Sequence, residues 1–576
     1  MKLLPLLLLL ALAASAQDDT ILKAMRDELA RSLTLKLTNL ETPYYIEYEV
    51  DDVKQYTATA SMGGLLNSSE GRFRVPRVHV RVGNYDFDNT NYVGSGFNFG
   101  SRYDVRLPLD DSYPVLRQSL WLATDQSYKS ALEAISRKRA ALRNVSVSEK
   151  LADFAKAPAV HLLDPITATT VAFEPWLKRT RTLSNVFSDY PKLKISSAEF
   201  SALDGTHYFI SSEGTEVRQH SNLGVVRLRA GAQAPDGMLL RDAAVFQTLD
   251  QARLPGEAEM VRAARAMAEN LSKLVQAPMG ETYSGPVLFE GVAGPQIFAE
   301  ILGKNLSLTR KPVLEPGSPG SVPSSELEGR QGARILPDTF QIVDDPTQTE
   351  FQGHKLFGSF QVDDEGVQSQ PLTIVEKGVL KNFLLTRQPV RGFVASNGRA
   401  RLPGSYGART AAISNLFIQA SDSLPAAQLR QKLIDACRQR GKPYGIVVRK
   451  MDFPSSASLE EARRLLSGAG QNASHAVSVP VLTYRVYLDG HEELVRGLRF
   501  RGLNVRSLKD IMATGNDATA FDYLENGFPF ALMGAGSEAA EVTVVAPSIL
   551  VDDLELLPLE DELPKLPIVP PPASSR

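Results

Sequence analysis

Cys437 is the only cysteine in 576 residues, and this constrains the fold more than any other single feature. One thiol cannot form an intramolecular disulfide, and no cysteine-rich metal cluster can act as a staple. A chain of this length must therefore be held together by buried apolar surface alone. It is also too long for one core, since domains rarely exceed about 250–300 residues, so two or more are expected. An apolar fraction of 43% with 22% charged residues is ordinary globular composition. The formal net charge of −3 leaves no basic face for phosphates, which argues against nucleic acid as a partner.

The first residues predict an exported protein. Lys2 precedes an apolar run from Leu3 to Ala13, and Ala14-Ser15-Ala16 is a small-residue cleavage site. This is the pattern of a secretory signal over residues 1–16, with Gln17 as the first mature residue. The run is too short to cross a hydrocarbon core of roughly 30 Å, and no cysteine follows the cleavage site to carry lipid. No later stretch is long and apolar enough to span a membrane. The expected location is periplasmic or extracellular.

Apolar periodicity predicts a helix from residue 18 to about 42, carried by Leu22, Met25, Leu29 and Leu33. Alternation predicts strands at Tyr44–Val50 and Arg77–Val82. Asn84–Tyr103 reads as an ordered surface loop rather than a ligand loop. A long helix is expected over Tyr113–Leu142, then strands at His207–Ser212 and Gly224–Gly231. A further helix carries Val261, Ala264, Ala268, Leu271 and Val275 on one stripe. Gln276-Ala277-Pro278-Met279-Gly280 breaks the pattern and marks the junction.

Beyond it, strands are expected at Gln361–Gly366 and Thr373–Leu380, with a hairpin turning at Asp489-Gly490. Helices are expected from Pro425 to about Arg440, stopping at Gly441, and from the capping box at Ser458. Cys437 falls on the apolar stripe of the first of these and reads as core. The fold class is α+β. An N-terminal α/β domain covers 17–278, a β-rich C-terminal domain covers 279–562, and the proline-rich tail 563–576 is expected to be disordered.

The informative segment is Gly285–Glu290 followed by Gly294–Lys304, a strand leading into a short helix that opens at a proline. Here the sequence resembles the TldD/PmbA family, also called the modulator-of-gyrase family, whose active members carry His-Glu-x-x-x-His on this helix and bind zinc. Val362-Asp363-Asp364-Glu365-Gly366 resembles the family's Asp-Asp-Glu-Gly motif, with Glu376-Lys377-Gly378-Val379-Leu380-Lys381 following it. Ser396-Asn397-Gly398-Arg399 resembles its Gly-Asn-Gly-Arg turn, and Val495-Arg496-Gly497 has a counterpart too. Ser212–Gln219 is similar to a segment of the family's N-terminal domain, so the resemblance spans most of the mature chain.

The zinc motif is degenerate. A zinc peptidase needs imidazole or carboxylate ligands, an open position for water and a general base. The resemblance places Ala299 at the first histidine, Glu300 at the base and Lys304 at the second histidine. The family's third ligand, a cysteine, falls in Asn526–Ser537, which contains none. A methyl group and an ammonium do not hold zinc, so no cofactor is expected. Glu300 and Lys304 read as a surface helical pair, or Lys304 places its charge where the metal would sit. None of the seven histidines has another within five residues, and His491-Glu492-Glu493 reads as turn chemistry.

Within the family, active chains pair with relatives that lack the motif. The resemblance thus implies a non-catalytic partner subunit of an exported proteolytic complex. Its partner would be a TldD-like chain carrying His-Glu-x-x-x-His, or a second copy of itself, with a peptide as substrate. Asp363, Asp364, Glu365, Asn397 and Arg399 are the candidate cleft residues, and turn-forming positions are the equal alternative. Two other functions stay open: an active exported metallopeptidase with ligands not recognised in the sequence, and an envelope binding or scaffold protein.

Overall fold

A computed structural model describes residues 19–34, 40–93, 107–143, 150–166, 171–314, 324–403, 409–453, 477–526 and 539–559. The leader, the capping box at Ser458, the tail from 563 and most of the stretch Asn526–Ser537 lie outside these, as does the second half of the loop from Asn84. Among the described residues, no helix is long and apolar enough to cross a membrane.

The first half is built on a hairpin of two 19-residue strands, Pro43–Ser61 and Gly64–Val82, far longer than the two short strands the sequence suggests. Leu193–Ser211 pairs with the first of them, and the sheet reaches seven strands with Glu216–His220, His161–Leu163, Leu223–Gln233 and Leu239–Thr248. The pleat separates two chemistries. Ile46, Tyr48 and Val50, with Val78, Val80 and Val82, pack against helices α1 (Thr20–Ser32) and α2 (Tyr113–Leu142). Further along, Tyr56, Ala58 and Phe200 pack against α3 (Phe173–Asn185) and α4 (Glu257–Leu274). The intervening positions, Glu47, Glu49 and Asp51, are acidic and buried on the opposite face. Across the hairpin they meet a basic row, with Glu47 opposite His79 and Glu49 opposite Arg77. α1 stops at Ser32, well short of residue 42.

The second half is built on two large sheets around one core. Tyr283–Phe289 lies inside an eight-stranded mixed sheet, between Tyr444–Met451 and Ile549–Pro558. A six-stranded sheet runs through Phe340–Asp344, Asn415–Ala420 and Ala539–Ala546. Helix α5 (Ala293–Leu302) contacts both sheets, and nine of its ten residues are buried. Helix α6 (Ala426–Gln439) covers the other face of the eight-stranded sheet through Leu429, Leu433 and Cys437. Gly445 permits that approach, because a Cβ there would lie 2.7 Å from Leu433 and 2.8 Å from Cys437. The Asp489-Gly490 hairpin forms between Pro480–Tyr487 and Glu492–Val495. Gln361–Gly366, expected as a strand, is a turn closed by a single bridge between Val362 and Gln368.

Candidate functional site

Burial of α5 between two sheets fixes what stands at the degenerate zinc positions. Ala299 is 3% exposed and is part of the apolar core. The helix ends at Leu302, so Lys304 opens the following single-turn 3-10 helix and is exposed. The Lys304 charge stays close enough to act on Glu300, whose Oε2 accepts the backbone N–H of Ser478 at 2.7 Å. Its Oε1 is buried with no partner among the described residues, as is the hydroxyl of Tyr523. Burial pushes the Glu300 carboxyl up to about 7, against the opposing pull of Ser478 and the nearby Lys304 charge.

This donor set does not fit zinc. One carboxylate oxygen is committed to an amide, a methyl fills the first position, and the second residue has left the helix. Among the described residues, no three His, Cys, Asp or Glu side chains converge as a metal would require.

The acidic turn has a structural role. Asp363 Oδ1 accepts the backbone N–H groups of Glu365 (3.0 Å) and Val367 (2.9 Å), and its Oδ2 accepts that of Ala400 (2.9 Å). Gly366 adopts φ +73°, and a Cβ there would lie 2.6 Å from Phe209 of the first half. The turn thus docks the second half onto the seven-stranded sheet. Glu365 accepts the backbone N–H of Arg387 at 2.6 Å. Arg387 crosses the seam to the Ala155 carbonyl (2.9 Å) and the Glu213 carboxylate (2.6 Å).

Asn397 and Arg399 are also structural. Asn397 accepts the Leu385 N–H (2.9 Å) and donates to the Phe383 carbonyl (2.7 Å). Arg399 is fully buried against Asp344. Of the five candidate cleft residues, Asp364 lines the cavity at the seam between the halves.

That cavity, of about 540 Å³, lies where the acidic face of the first half meets the second half. Arg77 donates to Glu49 (2.9 Å) and Asp51 (2.8 Å), and His207 Nδ1 lies 2.8 Å from Asp51. Arg409 reaches across from the second half to Glu49, and also to Asp364 at 3.3 Å. Arg401 donates to Glu541 at 2.5 Å and lies over the Phe360 ring at 4.2 Å. Burial alone would raise the Glu49 and Asp51 carboxyls, but Arg409, Arg77 and His207 outweigh it and hold both below their ordinary values. For Asp364 and Glu541 burial prevails, and both carboxyls are raised despite the arginines beside them.

The sequence reading missed Glu49, Asp51, Arg77, His207, Arg401, Arg409 and Glu541. A usable signal was present for the strand residues: Glu47, Glu49 and Asp51 alternate with apolar residues, as do Arg77, His79 and Arg81. Two charged rows of opposite sign on apolar-backed strands imply a buried polar face.

These features define a two-part α+β protein with a peptidase-like helix between sheets and a charged seam joining its halves. Residues 282–557 match the family described as the PmbA/TldA metallopeptidase C-terminal domain. A metalloprotease of Archaeoglobus fulgidus is 42% identical over 77 residues, 13% of this chain and 17% of that one. A metalloprotease of Methanocaldococcus jannaschii is 32% identical over 101 residues, 17% of this chain and 21% of that one. The chain thus aligns with only about a fifth of the length of these curated relatives.

The fold likeness is much broader. A crystal structure described as a DNA gyrase modulator, from Thermotoga maritima, matches with a TM-score of 0.57 at 13% identity, over 89% of this chain and 96% of that one. TldE from Thermococcus kodakarensis matches with a TM-score of 0.56 at 12% identity, over 93% of this chain and all of that one. Residues 282–557 thus carry the C-terminal domain of the PmbA/TldD family, and the chain as a whole shares the fold of these two structures.

Proposed function

We propose that this chain is a non-catalytic member of its family, exported through its N-terminal leader and acting as a partner subunit in a proteolytic complex. The observation that carries the reading is the state of α5, where Ala299 is sealed in the core and Lys304 stands exposed beyond the helix end. Glu300 alone keeps a side chain of the zinc-peptidase type, and its carboxylate is committed to Ser478. A general base without a metal-bound water has nothing to activate.

The intact TldD/PmbA frame supports a role that uses shape rather than hydrolysis, such as closing a shared chamber or presenting strand edges to an extended peptide. Affinity capture of the tagged chain from native envelope extract, with peptidase assays on the captured and isolated forms, tests this. The expected result is a zinc-bearing homologue in the captured fraction and no peptidase activity in the isolated chain. Activity of the isolated chain, or capture with no such homologue and no hydrolysis, would overturn it in favour of an active enzyme or a scaffold respectively.

A further inference from the structure

The cavity at the seam is remote in sequence from α5 and has no part in the reading above. It combines three kinds of surface. Asp364 and Glu541 are each tied to an arginine through one carboxylate oxygen, Asp364 to Arg409 at 3.3 Å and Glu541 to Arg401 at 2.5 Å. The two side chains retain 28% and 21% exposure, and both line the cavity. The arginines are half-used. Both are at least nine-tenths buried, yet Arg401 Nη1 and Arg409 Nε have no acceptor. Phe73 and Phe360 add aromatic wall.

Glu49 and Asp51, by contrast, are saturated by Arg77, His207 and Arg409. They form the wall's internal brace and leave nothing over for a ligand. What remains is a pair of carboxylates, a pair of guanidinium donors and an apolar surface, in a volume typical of small-ligand sites, roughly 300–1,000 Å³. A buried donor without an acceptor is costly, and an incoming carboxylate or carbonyl relieves that cost once the guanidinium turns toward it. An ammonium pairs in the same way with carboxylates that stay partly exposed to the cavity.

We infer that this cavity is a binding site for a zwitterionic amino acid or short peptide, its ammonium held by Asp364 and Glu541, its carboxylate by Arg401 and Arg409, and an apolar side chain against Phe73 and Phe360. The site is built from both halves of the chain, so the ligand also bridges them.

Isothermal titration of the full mature chain tests this with three probes bearing free termini: phenylalanine, Ala-Phe and Ala-Ala-Phe. N-acetyl and C-amide forms of each serve as controls, and comparison across the three lengths distinguishes a free amino acid from a peptide end as the ligand. The expected result is binding of at least one free probe, weakened about ten-fold or more by blocking either terminus. Asp364→Asn should weaken the free probe by a similar factor and leave the amino-acetylated form unaffected. Glu541→Gln provides a second, independent variant should the first perturb folding, with thermal melting run on both. Absence of heat with all three free probes overturns the inference. So does equal binding of blocked and free forms, or binding unchanged in both variants. None of these results bears on zinc retention or on partner capture, so failure here is distinct from failure of the partner-subunit reading.

Discussion

Replacing Arg399 by leucine asks whether this residue builds the fold or faces a cleft. Its guanidinium makes five hydrogen bonds in a fully buried site. Nε donates to the Asp344 carboxylate (2.5 Å), Nη1 to the carbonyls of Asn397 (2.8 Å) and Gly398 (3.1 Å), and Nη2 to those of Asp344 (3.0 Å) and Gln370 (2.6 Å). Asp344 also accepts the N–H and hydroxyl of Ser414, at 2.7 and 2.8 Å. After Arg399→Leu, an ionised carboxylate with 0% exposure would be left with two neutral donors and no counter-charge.

Removing one partner of a buried pair costs about 3–5 kcal/mol. With a urea slope of roughly 3 kcal/mol/M for a large chain, the midpoint falls by about 1 M, read by far-UV circular dichroism. Arg399→Lys keeps the charge but loses the planar fork and should fall between the two. Adding Asp344→Asn to Arg399→Leu should recover part of the loss, since the uncompensated charge is removed. A loss below about 1 kcal/mol for Arg399→Leu would refute this account of the residue.

Other outcomes follow from single features of the fold. Glu300 titrates near 4.5 in the unfolded chain and near 7 in the fold. Its stabilising proton is therefore fully retained below about pH 4.5, and the contribution is lost as pH rises toward and through 7. Glu300→Gln should gain roughly 1–3 kcal/mol relative to the parent between pH 5 and pH 8 in chemical denaturation, and an unchanged difference would contradict the burial. Gly366→Ala places a Cβ against Phe209 at a left-handed φ. It should cost about 2–4 kcal/mol and increase proteolysis between the halves, whereas a neutral melt would contradict the docking of the turn. Cys437 is fully buried and its thiol is pushed up by burial. It should resist thiol reagents until urea unfolds the chain, and rapid native labelling would contradict its place in the core.

What the sequence revealed depended on how local the determining physics is. The helix Tyr113–Leu142 and the hairpin at Asp489-Gly490 are set by periodicity and turn chemistry, and both form as read. The hairpin strands from Pro43 and Gly64 read short because their outer ends lose clean alternation, although backbone pairing continues to residues 61 and 64. What the spacing of Glu300 and Lys304 did not reveal is tertiary: α5 ends at Leu302, and the Glu300 carboxylate turns to a loop amide 178 positions away in sequence.

Asp363 and Arg399 were singled out by motif and prove to be braces, which short polar turns supply as often as ligand contacts. The seam was hardest to foresee. Its charges come from strands, turns and loops spread from Glu49 to Glu541, and only the alternating acidic and basic rows hinted that a sheet face would be both polar and buried.

The central claim concerns metal, and zinc stoichiometry tests it most directly. The isolated mature chain, loaded with zinc and then exhaustively dialysed, is measured by elemental mass spectrometry. With Ala299 and Lys304 in place of imidazoles, the result should be far below one zinc per chain and unchanged by Glu300→Gln. One tightly held zinc per chain, lost on that substitution, would contradict the account.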